Sequence, residues 1–257
     1  MTGFRALVLA GSRPEIDPLL AYADVPHKSL ITLQGQTLLA RVVDALTVSG
    51  AASIGVCTSH PAVIKAAGQI ASSARLEIIP AADSPSLSVA QGAQAMGFPL
   101  LVTTADHALL RPEWVRAFLA QIPDEAEIAA LLAPEALVRA AAPDGKRTYL
   151  AFRDGRYSGC NLFYLRSEAA LGAVALWRQV EARRKQPWKI AALLGPGMLL
   201  AYLAGRLTLD QAVARLGRKA AVRACAVRTP YGLAAVDVDK PADLDLVRRL
   251  TAPGSAL

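Results

Sequence analysis

Residues 4–9, FRALVL, are a short and nearly unbroken apolar run closed by Ala10 and Gly11, the pattern of a strand buried on both faces that ends in a loop. Residues 29–33 lead into a turn at Gln34-Gly35-Gln36, and over 38–46 Leu39, Val42, Val43 and Leu46 recur at helical spacing. The alternation continues with a strand over 53–57 and a helix over 61–70, then a strand over 76–79 and a helix over 87–96. A fourth strand is predicted over 98–104, followed by a helix over 112–121 whose Pro112 and Glu113 suit a helix start.

The second half reads differently. Strands are predicted over 127–132 and 148–152, with Gly155 turning the chain toward a strand at 159–165. A helical segment follows, then a strand over 234–238 and a closing helix over 242–250. Strand-helix alternation of this kind predicts an α/β fold, a mostly parallel sheet with helices on both faces. There is no clean linker, repeat or low-complexity tract, so the expectation is one domain over 1–257 with a helical insertion at about 168–223.

Composition narrows the class. At 257 residues and 53% hydrophobic, the chain is long and apolar enough to bury roughly 70–75% of its unfolded surface, which excludes wholesale disorder. Cys57, Cys160 and Cys225 are scattered without a CxxC pair, which points to a reducing cytoplasm rather than a disulfide framework. His27, His60 and His107 form no ligand-spaced pair that would suggest zinc. The first apolar run is too short for a signal peptide. The longest nearly uncharged stretch, 190–205, is broken by Gly195-Pro196-Gly197 and falls short of the ~20 residues a bilayer span needs.

Net charge is +7, and it is concentrated: residues 171–223 carry +8 while the rest of the chain carries −1. Recognition of nucleic acid is not expected, because stacking aromatics and a binding module are missing. Two readings remain, a solvated helix face or contact with an anionic surface or phosphorylated ligand, including peripheral contact at the inner membrane face.

Three segments can carry chemistry. Leu9-Ala10-Gly11-Ser12-Arg13 ends a strand in small residues, so backbone N–H groups can approach a nucleotide while an arginine holds phosphate; Lys28 follows in Pro26-His27-Lys28-Ser29-Leu30. GxGxxG and GxxxxGK[ST] are both absent, which excludes the usual dinucleotide and P-loop sites. Asp106 closes a predicted central strand, where α/β sheets place ligands, and lies too early to cap the helix near Pro112. A metal-ligand role fits it better. Asp237 and Asp239, two apart on a predicted strand, project to one face and suit a divalent cation bound to phosphate. Alternatively, Asp239 caps the following helix and Asp243 is a first-turn acid.

Taken in order, these segments resemble the MobA-like NTP transferases, nucleotidyltransferases of the GT-A type. Leu9-Ala-Gly-Ser-Arg13 resembles that family's L-A-G-G-x-x-x-R loop, Lys28 its signature lysine, and Thr104-Ala105-Asp106 its TxAD-like metal aspartate. Asp237-Val-Asp-Lys-Pro-Ala-Asp-Leu244 resembles its closing D-[IV]-D-T-P-E-D-L, and Ser88-Val89 with Gly92 its S-V-x-x-G helix start. The departures are Ser12 for the second loop glycine, Arg13 directly after it, and Lys240 and Ala242 for Thr and Glu.

The resemblance implies attack of an acceptor on the α-phosphorus of an NTP with release of pyrophosphate. It implies Mg²⁺ held by Asp106 with Asp237 or Asp239, Lys28 at the α-phosphate and Arg13 at the β- and γ-phosphates. Leu9, Ala10, Gly11, Ser12 and Ser88 would border the nucleotide. CTP is favoured over GTP, on the S-V-x-x-G and closing segments, with a small phosphorylated acceptor. A GT-A glycosyltransferase using an NDP-sugar, or a degenerate nucleotide-binding protein, are the alternatives.

Overall fold

The computed structural model describes residues 3–11, 17–183, 195–252 and 254. The first half contains β1 (Phe4–Leu9), α1 (Pro18–Ala23), the hairpin β2 (Thr32–Leu33) and β3 (Gln36–Thr37), α2 (Leu38–Val48), β4 (Ala51–Cys57), α3 (Pro61–Ala67), β5 (Arg75–Ile79), α4 (Pro85–Met96), β6 (Leu100–Thr104) and α5 (Pro112–Ala120). The second half contains β7 (Ile128–Pro134), α6 (Glu135–Ala141), β8 (Leu150–Phe152), β9 (Gly155–Leu165), α7 (Leu171–Ala182), α8 (Pro196–Leu203), α9 (Leu209–Lys219), β10 (Ala224–Arg228) and α10 (Pro241–Leu250).

The main sheet has the order β10-β7-β9-β6-β1-β4-β5, with β8 added to β9. β1 is parallel to both neighbours, Val8 facing Val56 of β4 on one side and Thr103 of β6 on the other. β9 alone in this path runs antiparallel to its neighbours β6 and β7. The chain builds outward from β1 through β4 and β5, then returns to its other side at β6, so the carboxyl ends of β1 and β6 form a topological switch point where α/β sheets open a crevice.

β1 is apolar on both faces because both faces are covered. Ala6 and Val8 join the core with α2, through Leu39, Val42 and Leu46, while Leu7 points the other way to Val89 and Ala93 of α4 and Val174 of α7. The S-V-x-x-G glycine serves this second layer: a Cβ on Gly92 would lie 2.4 Å from Leu7 Cδ2, so only glycine lets α4 sit this close to β1. Caps fix the helix starts. Ser84 accepts from the Leu87 N–H, Thr37 from the Ala40 N–H, and Thr208 with Gln211 forms a capping box on α9.

The structure departs from the sequence reading in the second half. Residues 234–238 are not a sheet strand: Gly232–Ala235 form a 3₁₀ turn and the chain then runs extended to Asp239. The turn forms because Gly232 sits against α6, where a Cβ would fall 2.0 Å from the Leu137 carbonyl oxygen. Gly155 is the first residue of β9, not a turn before it. Helices α1 and α6 and the edge strand β10 were not anticipated. Helices α7 to α9 lie in the basic segment, and two of them are tied to the core: α7 packs on α4, and Leu209 of α9 packs against Leu132 and Tyr157. No helix among the described residues is long and apolar enough to cross a membrane.

Candidate functional site

Three loops converge at the switch point. The Ala105 N–H donates to the Leu9 carbonyl at 2.9 Å and the Ala10 N–H to the Cys57 carbonyl at 2.9 Å, so Leu9-Ala10-Gly11 leaves the sheet between β4 and β6. Ser12 and Arg13 lie outside the described residues. Ser88, buried near the start of α4, accepts from the Ala82 N–H at 3.0 Å and thereby fixes the loop after β5.

Lys28 opens a 3₁₀ turn whose cap is His27; the His27 Nδ1 accepts from the Ser29 N–H at 3.1 Å. From there Lys28 Nζ donates to Asp106 Oδ2 and, at 3.1 Å, to Asp239 Oδ1. Burial works against the ammonium, but Asp106 and then Asp239 outweigh it and hold its pKa above the ordinary lysine value. Asp106 is 6% exposed and takes a second bond from the Thr104 hydroxyl. Burial alone would raise its pKa, yet Lys28 and Thr104 hold it below the usual carboxylate range.

Asp237 has a different set of partners. Arg147 Nη1 donates to its carboxylate, Arg147 Nη2 donates to its backbone carbonyl at 2.8 Å, and Asn161 Nδ2 donates to its second oxygen at 2.8 Å. Burial raises the Asp237 pKa; Arg147 opposes that, and Asp106 and Asp239 add to it, which places the three carboxylates in one electrostatic cluster. Extended backbone over 236–239 gives the spacing expected of a strand: Val236 and Val238 are buried while Asp237 and Asp239 are not. A backbone bond anchors it to the sheet end, the Val238 N–H donating to the Asp106 carbonyl at 3.1 Å. Lys240, not Asp239, occupies the N-cap of α10, so the capping alternative for Asp239 is excluded. Asp243 is the expected first-turn acid, and it also accepts from the Asp239 N–H and from Arg147.

Sequence reasoning missed Arg147, Asn161 and the anchoring role of Asp243, and gave Thr104 a place in a motif but not its bond to Asp106. Arg147 sits in an irregular stretch between α6 and β8, with no motif around it. Asn161 carried a weak signal. The ladder between β7 and β9 shifts register between Ala130 and Leu132, and Asn161 adopts φ 48° there, a left-handed conformation asparagine tolerates and a bulge uses to re-aim a side chain.

Among the described residues, no three His, Cys, Asp or Glu side chains form a complete metal cage. What is present is a set of clustered carboxylates with charge in excess of Lys28. That donor set fits Mg²⁺, which takes one or two carboxylates and completes its shell from water and substrate phosphates.

The model of the MobA-like NTP transferase domain family matches residues 6–192. A hypothetical transferase from Thermus thermophilus superposes with a TM-score of 0.80 at 31% identity, covering 94% of this chain and 99% of that one. A CMP:2-keto-3-deoxy-manno-octonic acid synthetase complexed with CTP gives a TM-score of 0.56 at 18% identity over 96% and 98% of the two chains. A 4-diphosphocytidyl-2C-methyl-D-erythritol synthase from Anaerococcus prevotii gives 0.59 at 9% identity over 96% and 95%. Comparison with curated protein sequences gives no match.

Proposed function

From a chain that belongs to the MobA-like NTP transferase family, a family of nucleotidyltransferases, we propose a Mg²⁺-dependent enzyme that transfers a nucleoside monophosphate from an NTP to a small phosphorylated acceptor and releases pyrophosphate. The observation that carries this reading is the Lys28–Asp106–Asp239 cluster at the carboxyl edge of the sheet, with Asp237 held beside it by Arg147 and Asn161.

Asp106, with Asp237 or Asp239, would hold the cation, which when bound supplies positive charge to the α-phosphate and the attacking oxygen. Lys28 has a second task. With its two carboxylate partners engaged elsewhere, its ammonium is free to turn to the α-phosphate, where it neutralises the charge that builds as the bridging bond breaks. Burial works against the ammonium, so once it leaves the carboxylates the negative phosphate takes over their part in keeping it charged. Arg13 would take the β- and γ-phosphates. Positioning and electrostatics dominate such transfers, and a phosphorylated acceptor carries its own nucleophilic oxygen, so no general base is required.

CTP is the favoured donor and GTP the alternative. The Ser88–Gly92 helix start and the closing Asp237–Leu244 segment support CTP, and one structural neighbour of the same fold is named as complexed with CTP. The test is a thermal-shift panel of the four NTPs with and without Mg²⁺, followed by pyrophosphate detection, because ligands of the native state raise its stability. A Mg²⁺-dependent shift with CTP alone supports the reading. Shifts only with NDP-sugars would make the protein a GT-A glycosyltransferase, and silence from both would make it a degenerate binding protein.

Peripheral contact with anionic membrane is a second element of the proposal. Leu200 and Leu203 of α8 are 65% and 71% exposed, within the segment that carries +8. Co-sedimentation with phosphatidylglycerol vesicles, lost in the Leu200→Ser, Leu203→Ser double variant, is the expected result. Protein left wholly in the supernatant would remove this element.

A further inference from the structure

Away from the carboxylate cluster, a cleft of about 240 Å³ opens between the β2–β3 turn, α2, the 109–111 segment and the end of α10. Its lining includes two cations, Arg41 and Arg111, together with Gln34, Leu109, Leu110 and Thr251. Nothing in the proposed reaction uses any of these residues.

Arg41 spends only its Nε, donating to the Ala108 carbonyl at 3.1 Å; its two terminal nitrogens carry no bond within the described residues. Arg111 reaches Glu113 at 3.6 Å and lies 5.8 Å over the Trp114 ring, so its guanidinium plane is steered while its charge is only loosely paired. Burial first and then the nearby Arg111 charge depress the Arg41 pKa, with Asp44 opposing. Such an arrangement leaves one partly desolvated guanidinium with unused donors beside a second that is only loosely paired, and a bound anion would take up both.

We propose that Arg41 and Arg111 form a phosphate-binding site, separate from the nucleotide crevice, that takes inorganic phosphate or the phosphate group of a small monoester. The planar fork of arginine matches phosphate oxygens in pairs, and two forks supply up to four such bonds. A cleft of about 240 Å³ lies below the roughly 300–1,000 Å³ of drug-sized sites and suits an ion of this size. The site is coupled to the chemistry by one short path. Arg41 holds the Ala108 carbonyl, and Ala108 follows Asp106 by two residues, with its own N–H donating to the Asp106 carbonyl at 2.8 Å.

The experiment is calorimetric titration of the full-length protein with inorganic phosphate, at constant ionic strength set by chloride. Saturable binding to wild type, retained within twofold by Lys28→Ala and weakened at least tenfold by Arg41→Gln and by Arg111→Gln, is the expected result. Two separate variants guard against one that fails to fold, and circular dichroism checks each. A second titration with glycerol 3-phosphate identifies the source: tighter binding than phosphate assigns the site to a monoester, equal or weaker binding to free phosphate. Phosphate affinity lost in Lys28→Ala but kept in both arginine variants would place the ion in the nucleotide crevice and overturn the proposal. So would the absence of saturable binding to wild type.

Discussion

Arg147 and Asp237, 90 residues apart in sequence, are joined at both the side chain and the backbone: one guanidinium takes the Asp237 carboxylate and its carbonyl together. The same group reaches Asp243 at 3.4 Å, and the Arg147 side chain is only 8% exposed. One buried cation thus fixes the extended segment that carries Asp237 and Asp239. Replacing Arg147 by leucine leaves two carboxylates without their partner, and breaking a buried pair this way costs about 3–5 kcal/mol. Urea denaturation should show a loss of that order, with Arg147→Lys recovering part of it. A loss under about 1 kcal/mol would mean that Arg147 does not anchor the segment.

The carboxylates should separate by function. Asp106→Asn is expected to lower turnover by about 10²–10³ or more, the scale seen when one preorganised electrostatic partner is removed, while leaving the circular dichroism spectrum unchanged. Lys28→Ala should lower turnover on the same scale. The discriminating measurement is a Mg²⁺ titration of activity. Its midpoint should rise in Asp106→Asn and in whichever of Asp237→Asn and Asp239→Asn supplies the second ligand, and should not rise in Lys28→Ala, where loss of the ammonium that bonds Asp106 and Asp239 frees these carboxylates for the metal. A midpoint unmoved by Asp106→Asn would remove Asp106 from the metal.

Much of this site was legible because its parts sit where short local patterns begin or end. Lys28 precedes an apolar run, Asp106 closes one and the Asp237/Asp239 pair ends another, and strand-helix alternation predicts the mostly parallel sheet at whose edge they meet. Arg147 and Asn161 were not legible, because their roles depend on contacts 76 to 96 residues away that no local period encodes. The 232–239 segment misled for a related reason. Ala234, Val236 and Val238 are as apolar as a strand, but a tight turn against α6 and a backbone bond to the Asp106 carbonyl, rather than a ladder, hold them. β10 was missed because an edge strand of five residues, partly buried at every position but Val227, gives no clear alternation.

Gly92 illustrates a motif glycine whose reason is packing. A Cβ there would stand 2.4 Å from Leu7 Cδ2 and 2.8 Å from Leu7 Cδ1, in a core with no slack. Gly92→Ala should therefore destabilise the protein by about 1–3 kcal/mol despite alanine's better helix propensity. Combining it with Leu7→Ala should cost less than the sum of the two, because the truncated side chain vacates the contested space. Strict additivity in urea denaturation would show that α4 simply moves aside.

Acid should unfold the protein through its histidines before its carboxylates. Burial first, then His60 and Lys28, push the His27 pKa from 6.5 down to about 4, and burial against a weaker pull from Asp106 brings His107 to about 4 as well. Both rings are kept neutral in the native state and charge readily once unfolded. The stability they permit is therefore complete above pH 6.5 and declines as pH falls toward 4, by up to about 1.4 kcal/mol per pH unit for each. Asp106 acts lower: its depressed pKa contributes stability that is lost only as pH falls below the ordinary carboxylate range. Asp237, raised by burial, works in the opposite sense and gains as it protonates. Denaturation midpoints measured from pH 7.5 to 4 should fall steadily in wild type and more gently in His107→Gln, whose amide keeps some hydrogen-bonding capacity without a titrating proton. Parallel profiles for the two would show that His107 charges as easily in the folded protein as in the unfolded chain.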